Sequence, residues 1–414
     1  MNAGSSTGTA AGIRVDLGPV HVSRPFDRYP GLLFGRTAVR GDTFAAVDSA
    51  TGATGPDAGL LIGAAAGTDE PSVRLRARGE LVERMSNILA ARRAESRPET
   101  VSYARLARQG VAALDPAAWA ELSVLADIRE RPMVWVAGGS LVSGAAVLVP
   151  ACAAFLRHRP PDGQPAAMTP GSAGLSAHRT QRLASRHGLL EVLERDLFCR
   201  AWYGDGTRAE LPGVGKGPAG RALGLQRTAI LLPGPGGTAC LVVCLAEPGG
   251  SRQSFGARAV ADTGPTALAE ALEVGTDEAL MVRWSMRTLS AESGWQQLAR
   301  TGTLPGALGH ALHAFYRQDS LSHLLRDPKG EAGHTSDNRE ADDTATLAHL
   351  LAEHTGDDVV WVDCTVAGLT GESEPPGVVG RVVAPGARRL PHATASPLDP
   401  SALGGAHHPP HPLG

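Results

Sequence analysis

Lysine is scarce in this chain, cysteine is sparse, and neither sign of charge dominates. Its 414 residues carry 39 basic and 42 acidic side chains, a formal net charge of −3. No basic excess marks a nucleic-acid surface, and no block of like charge marks a binding tail. Five cysteines in a chain of this length make no disulfide scaffold. No CxxC pair is present, so a four-thiolate zinc site is not indicated. There is also no P-loop, no GxGxxG and no defensible Ser-His-Asp arrangement. The first residues lack a basic region followed by an apolar one, which argues against a signal peptide. Met133 to Leu156 is uncharged and long enough to span a bilayer. Gly138-Gly139-Ser140, Ser143-Gly144 and Pro150 interrupt it, however, and suggest short buried strands with turns. The expectation is a soluble cytoplasmic protein, with no nucleic acid and no membrane as partner.

What is present is alanine, glycine, proline and arginine in plenty, a bias of composition rather than function. The length suits two ordinary domains or one composite α/β domain with a large core. Residues 1–11 are small and polar, and disorder is expected there. Residues 12–67 alternate apolar runs with glycine-rich turns and read as a strand-rich segment. Asp69-Glu70-Pro71 opens a long helix over 69–95. Strands are expected over Met133–Ala137 and Ala145–Val149, then a polar loop from His158 to Gly171. A second long helix covers about 180–203, with Thr180 as N-cap. A hairpin pairs Thr228–Leu232 with Ala239–Leu245, where Cys240 and Cys244 share one face and are expected in a core. Helices follow over Thr266–Trp284 and Thr344–His354, with an exposed loop over 328–343 between them. Asp358–Cys364 and Val378–Val383 read as the last strands. The end of the chain, from Pro391, is irregular and proline-rich.

The most informative feature is a repeat. Residues 80–84 and 191–195 both read Glu-x-x-Glu-Arg, each in a helix-forming context. Carboxylates three apart share one helix face. If Glu80 and Glu83 faced Glu191 and Glu194, four carboxylates would converge, and a divalent cation would be needed to make the cluster tolerable. Magnesium takes hard oxygen ligands and usually brings phosphate with it. A blander possibility stands beside this one. In the second helix Leu189, Leu190, Leu193 and Leu197 form an apolar face, and an amphipathic helix with solvated charges would look the same. The C-terminal Pro410-His411-Pro412 cannot be helical and should be extended. A floppy tail and a stiff segment inserting into a site are both compatible with it.

The second motif in its setting is more specific. Residues 170–196 contain Ser172-Ala173-Gly174-Leu175-Ser176-Ala177 and end in Gly188-Leu189-Leu190-Glu191-Val192-Leu193-Glu194-Arg195-Asp196. This resembles the central signature of the YcaO family. Gly79 to Arg84 is similar to that family's first Glu-x-x-Glu-Arg helix, and Val378 to Gly386 to its late strand ending in Pro-Gly. Pro410 to Gly414 resembles the proline-rich terminus of its peptide-cyclising members. The matches occur in the family's order over about residues 60–414.

The resemblance implies an α/β YcaO-type fold, with mixed sheets flanked by helices and two related halves around an ATP–magnesium cleft. It implies a catalytic domain over 68–398 and a tail, 399–414, inserting toward the active site. It implies ATP-dependent cyclodehydration of Cys, Ser or Thr in a ribosomally made precursor peptide, giving thiazolines or oxazolines in natural-product (antibiotic) biosynthesis. Glu80, Glu83, Glu191 and Glu194 would hold magnesium (Mg2+) and ATP phosphates. Arg84, Arg195 and Ser176 would lie beside the nucleotide, and Pro410, His411 and Pro412 would arrange the peptide side. The partners implied are the precursor peptide, a separate E1-like protein that captures its leader, and a flavin-dependent azoline dehydrogenase; a homodimer is open. The chain also departs from the family at His178-Arg179-Thr180, Leu183, Ala66-Gly67 and Trp202-Tyr203-Gly204-Asp205. Two alternatives follow: a catalytically degenerate scaffold partner, or a thioamide- or amidine-forming sister enzyme.

Overall fold

The computed structural model describes residues 17–39, 61–96, 99–161, 168, 171–204, 206–301, 306–317, 319–326, 343–366, 369, 377–391 and 410–413. The expectations for residues 1–11 and for most of the 328–343 loop lie outside them. The strands in chain order are β1 (His21–Ser23), β2 (Leu33–Val39), β3 (Leu61–Gly67), β4 (Thr100–Ser102), β5 (Pro132–Ser140), β6 (Ala146–Pro150), β7 (Leu175–His178), β8 (Ala209–Glu210), β9 (Gln226–Pro233), β10 (Ala239–Ala246), β11 (Ser254–Val260), β12 (Val360–Asp363) and β13 (Val378–Val383). The longer helices are α1 (Glu70–Glu95), α2 (Gln181–Tyr203), α3 (Pro265–Met286), α4 (Leu289–Thr301), α5 (Gly306–Arg317) and α6 (Thr344–Thr355).

Among the described residues three antiparallel sheets result. One runs β1-β2-β3, one β11-β10-β9-β8, and one β4-β5-β12-β13-β7 with β6 added beside β5. The uncharged stretch near residue 140 becomes β5, β6 and a short helical turn at Ala151–Ala154, as its breakers suggest. Among the described residues no helix is long and apolar enough to cross a membrane. Cys240 and Cys244 are both buried in the largest core cluster.

Local chemistry sets the two motif helices. Asp69 caps α1 by accepting from the Ser72 N–H at 2.9 Å, with Pro71 in the first turn. Thr180 caps α2 in the same way through the Leu183 N–H. The amphipathic expectation for α2 fails. Ala184, Leu189, Leu193 and Phe198 are buried, and so are Glu194, Asp196 and Trp202 on other faces. This helix runs through the middle of the molecule, against β13 and β7 on one side and β11 on another. Glu194 and Asp196 are therefore withdrawn from solvent, while Arg182 in the first turn stays exposed.

Helix α1 lies on β2 and β3 at a distance only glycine permits. A Cβ at Gly63 would come within 2.0 Å of the Ala77 carbonyl and 2.7 Å of the Leu81 nitrogen. Both obstacles are helix backbone and cannot swing aside. Gly63→Ala is expected to cost about 3 kcal/mol of stability by overpacking, read from the urea midpoint. Gly79→Ala, inside α1 with open space around its Cβ, should instead add about 1 kcal/mol through helix propensity. Equal midpoints for the two variants would refute this account of how α1 is seated.

Candidate active site

A strand at the edge of a sheet presents backbone N–H groups with no strand to receive them. Here three such edges, β3, β7 and β11, are turned toward the motif helices, and glutamates receive their protons. Glu80 accepts from the Ala64 N–H of β3 at 2.6 Å. Glu83 accepts from Ala177 of β7 at 2.8 Å, and Glu191 from Gly174, just before β7, at 3.1 Å. Glu194 accepts from Ala259 and Glu278 from Ala257, both on β11, at 3.1 and 3.0 Å. Five carboxyl groups from three helices are thus pinned to three sheet edges around one locus.

The electrostatics show how near they are. Burial raises the Glu83 carboxyl well above the usual range, and the Glu191 and Glu80 charges add to that. Burial likewise pushes Glu191 up to about 7, with Glu194 raising it further while Arg195, the Gly174 N–H and Arg381 oppose the shift. Glu278 is also pushed to about 7, by burial first and then by Glu194. Glu194 is raised by burial against the pull of Arg195 and Arg258. The charge coupling runs unbroken from Glu80 through Glu83, Glu191 and Glu194 to Glu278.

The arginines divide their work. Arg84 closes an ion pair with Glu80 at 2.6 Å and donates to the Ile62 carbonyl at 2.6 Å, which locks α1 to β3. Arg195 lies 3.5 Å from Glu194. Ser176 is fully buried on β7, but its hydroxyl donates to the Ala184 carbonyl of α2 at 2.7 Å. It contributes its small size and place beside Ala177, while its hydroxyl serves the helix.

The end of the chain lies beside the same helix. His411 is 3% exposed, with its ring 6.5 Å from those of Phe198 and Tyr203. It stacks on His310 of α5 at 3.8 Å and 14°. Leu413 is buried in the core cluster that α2 traverses. Pro410 is half-buried and Pro412 buried; residues 399–409 and Gly414 lie outside the described residues.

Two residues of this region escape a sequence search. Glu278 sits in Thr276-Asp277-Glu278-Ala279 with no motif around it, and only the edge of β11 brings it to Glu194. His310 lies on α5, whose alternation of His and apolar residues reads as an ordinary packed face. No local signal could have found either one.

The donor set suits a hard divalent cation. All five groups are carboxylates, and their crowding in low dielectric is relieved by positive charge. Glu83 and Glu191 each commit one oxygen to a backbone N–H, and their second oxygens meet no donor among the described residues. Among the described residues no group of three or more His, Cys, Asp or Glu side chains is placed to hold a metal ion as the structure stands.

Comparison with known proteins identifies the family and the fold. The model of a family described as YcaO cyclodehydratase, ATP- and Mg2+-binding, matches residues 65–388. No curated protein matches the chain. Among solved structures, YcaO from Methanopyrus kandleri bound with AMPPCP and Mg2+ is similar with TM-score 0.59 and 22% identity, over 90% of this chain and 86% of that one. A heterocyclase in complex with substrate and cofactor gives TM-score 0.65 and 18% identity over 95% of this chain. This chain spans only 53% of that heterocyclase. A chain of the E. coli microcin synthetase McbBCD complex with pro-MccB17 bound gives TM-score 0.61 and 15% identity, over 97% of this chain and 100% of that one. At these identities the structures show a shared fold.

Proposed function

The chain belongs to the YcaO family, and from that premise we propose that it catalyses ATP- and magnesium-dependent cyclodehydration of Cys, Ser or Thr residues in a ribosomally made precursor peptide. The observation that carries the proposal is the meeting of the two Glu-x-x-Glu-Arg helices. Glu83 of α1 and Glu191 of α2 accept from Ala177 on β7 and from Gly174 just before it, close enough for the Glu191 charge to raise the Glu83 carboxyl further. A protein gains nothing in stability from that crowding, whereas a cation site requires it.

Glu83, Glu191, Glu194 and Glu278 would hold magnesium, with Glu80 fixed by Arg84 at the rim. Bound ATP and magnesium supply the phosphoryl group that turns a poor leaving group, the amide oxygen, into a good one. The protein's own residues do the rest by position. The N–H groups of β7 and β11 orient the carboxylates, Arg195 keeps positive charge where phosphate oxygens would lie, and the core around α2 excludes water. The nucleophile comes from the peptide, so no catalytic triad is needed. Pro410, His411 and Pro412 shape the peptide side, held there by the His310–His411 stack. A separate leader-binding protein and an azoline dehydrogenase would complete the set of partners. The microcin synthetase complex supports a partnered arrangement, since its chain shares this fold.

Reconstitution with precursor, leader-binding partner and Mg–ATP is expected to remove one water per ring, read by mass spectrometry. Replacement of oxygen by sulfur would establish the thioamide branch instead. Truncation after residue 409 should cut ring formation at least tenfold while leaving ATP binding within twofold; equal loss of both would remove the tail from the peptide side. A scaffold function is the second reading. Leu183, in the first turn of α2, places an apolar side chain where the family often has an acid or amide, and that turn carries no acid at all. Absence of Mg–ATP binding with partner and peptide present would decide for the scaffold.

A further inference from the structure

Residues 410–413 are held beside α2 by a contact that depends on charge. The His411 ring lies on that of His310 from α5, 3.8 Å away and 14° from parallel. Both residues are withdrawn from water, at 3% and 2% exposure. Phe198 and Tyr203 of α2 stand nearly perpendicular to the His411 ring, at 79° and 88°. Pro412 and Leu413 are buried too, so the seat is apolar.

A neutral imidazole suits this seat and an imidazolium does not. The Nε2 of His411 faces the Pro391 carbonyl at 3.4 Å, a long contact for a hydrogen bond. Its Nδ1 is buried and completes no hydrogen bond among the described residues. A charged ring would bring two N–H donors here and find no good acceptor for them. The charges acting on it have the wrong sign. Burial pushes the His411 pKa well below 6.5; His310 and Arg195 push it further, and the Pro391 and Leu413 backbone oppose them. Cys199 and Tyr203 of α2 are raised by burial and stay neutral. His313 and His323 have partners of their own, Asp319 at 3.9 Å and the Trp202 carbonyl at 2.9 Å.

We propose that the His310–His411 stack is a pH-operated latch, which seats residues 410–413 against α2 while His411 is neutral and releases them when it gains a proton. The sign follows from linkage. Above pH 6.5 His411 is neutral whether seated or free, and seating is at full strength. Below 6.5 the free segment takes up a proton that the seated one refuses. Seating then weakens about tenfold per pH unit, until the pH reaches the depressed value of the seated ring. For its effect on ring formation the latch rests on the peptide-side reading of the tail; the release itself does not.

Hydrogen exchange of the full chain, read by mass spectrometry on the 410–414 segment and corrected for intrinsic amide rates, measures seating from pH 8 to 5. Protection is expected to be flat from pH 8 to 7 and to fall about tenfold between pH 6 and 5. Strand β10, followed in the same samples, should keep its protection, which separates release from unfolding. His411→Phe keeps an aromatic ring in the stack and cannot take a proton; it should stay protected down to pH 5. His310→Phe leaves His411 to titrate and should still release in acid. Acid release in His411→Phe equal to that of the wild type, or flat protection in the wild type, overturns the latch. Where His411→Phe is unprotected already at pH 8, the wild type decides alone. The nuclear magnetic resonance of the His411 Cε1–H must then titrate together with release; titration near 6.5 while the segment stays protected overturns the proposal. Reconstituted ring formation is read beside it at saturating Mg–ATP, and in the wild type should fall as the segment is released. Rings formed unchanged on a released segment would take the tail off the peptide side and leave the latch standing. No rings at any pH would overturn the enzyme reading, and exchange would still decide the latch.

Discussion

Replacing Glu191 with Gln is expected to lower ATP turnover about a thousandfold, equivalent to about 4 kcal/mol of transition-state stabilisation, and at the same time to raise stability at pH 8. The two effects come from one cause. Burial, with the Glu194 charge adding to it, holds the Glu191 pKa near 7 in the folded state, against 4.5 for an ordinary glutamate. Below pH 4.5 it is protonated whether the chain is folded or not, and costs nothing. Between about 4.5 and 7 the folded chain holds a proton that the unfolded chain releases, so stability falls as pH rises. Above 7 the penalty is complete, on the order of 3 kcal/mol for a shift of this size. A Gln side chain stays neutral at every pH, and its oxygen can still accept from the Gly174 N–H. The Gly174 N–H keeps its acceptor, while the proposed cation site would lose a ligand. Thermal melts from pH 4 to 9, with ATP hydrolysis on the same preparations, test both halves. Wild-type turnover in the variant would take Glu191 out of the metal site. A variant less stable than wild type at pH 8 would mean that capping the strand needs a charged acceptor.

Magnesium–ATP binding is expected to expel protons and so to strengthen steeply with pH. Glu191 and Glu278 both titrate near 7, and Glu83 is raised well above its usual value. A magnesium ion needs these groups ionised, so binding in mildly acidic solution must first remove protons. The association constant should rise about tenfold per pH unit for each proton displaced between pH 6 and 7, and level off above 8. Calorimetry in two buffers of different ionisation enthalpy counts the protons directly. One to two are expected for the wild type, and about one fewer for Glu191→Gln. Equal heats in both buffers, with affinity flat across that range, would show that the carboxylates do not meet the cation.

Much of the architecture was legible from the chain. Asp69 and Thr180 announced the two motif helices because capping is a local interaction, settled within three residues. The glycine and proline breaks after Met133 separated β5 from β6 for the same kind of reason. The hairpin of β9 and β10 followed from two β-prone runs around Pro233-Gly234-Pro235-Gly236-Gly237. The environment of α2 was not legible. Its leucine face promised a wet opposite side, but β11 covers that side, and no helical periodicity reports which sheet will pack there.

For the site, the order of the Glu-x-x-Glu-Arg repeats and their flanking residues was enough to name the family and to single out four glutamates that the structure brings close together, since those are matters of residue type and spacing. Glu278 and His310 carry no such pattern. Glu278 meets Glu194 because both accept from the edge of β11, and His310 comes close to α2 because His411 packs between them. The sequence alone determined α1, α2, α3 and α6, most strands and which carboxylates carry a signature, but not α4 and α5. Only the tertiary structure decided their neighbours, because charge coupling and the capping of unpaired N–H groups depend on distances between strands and helices far apart in the chain.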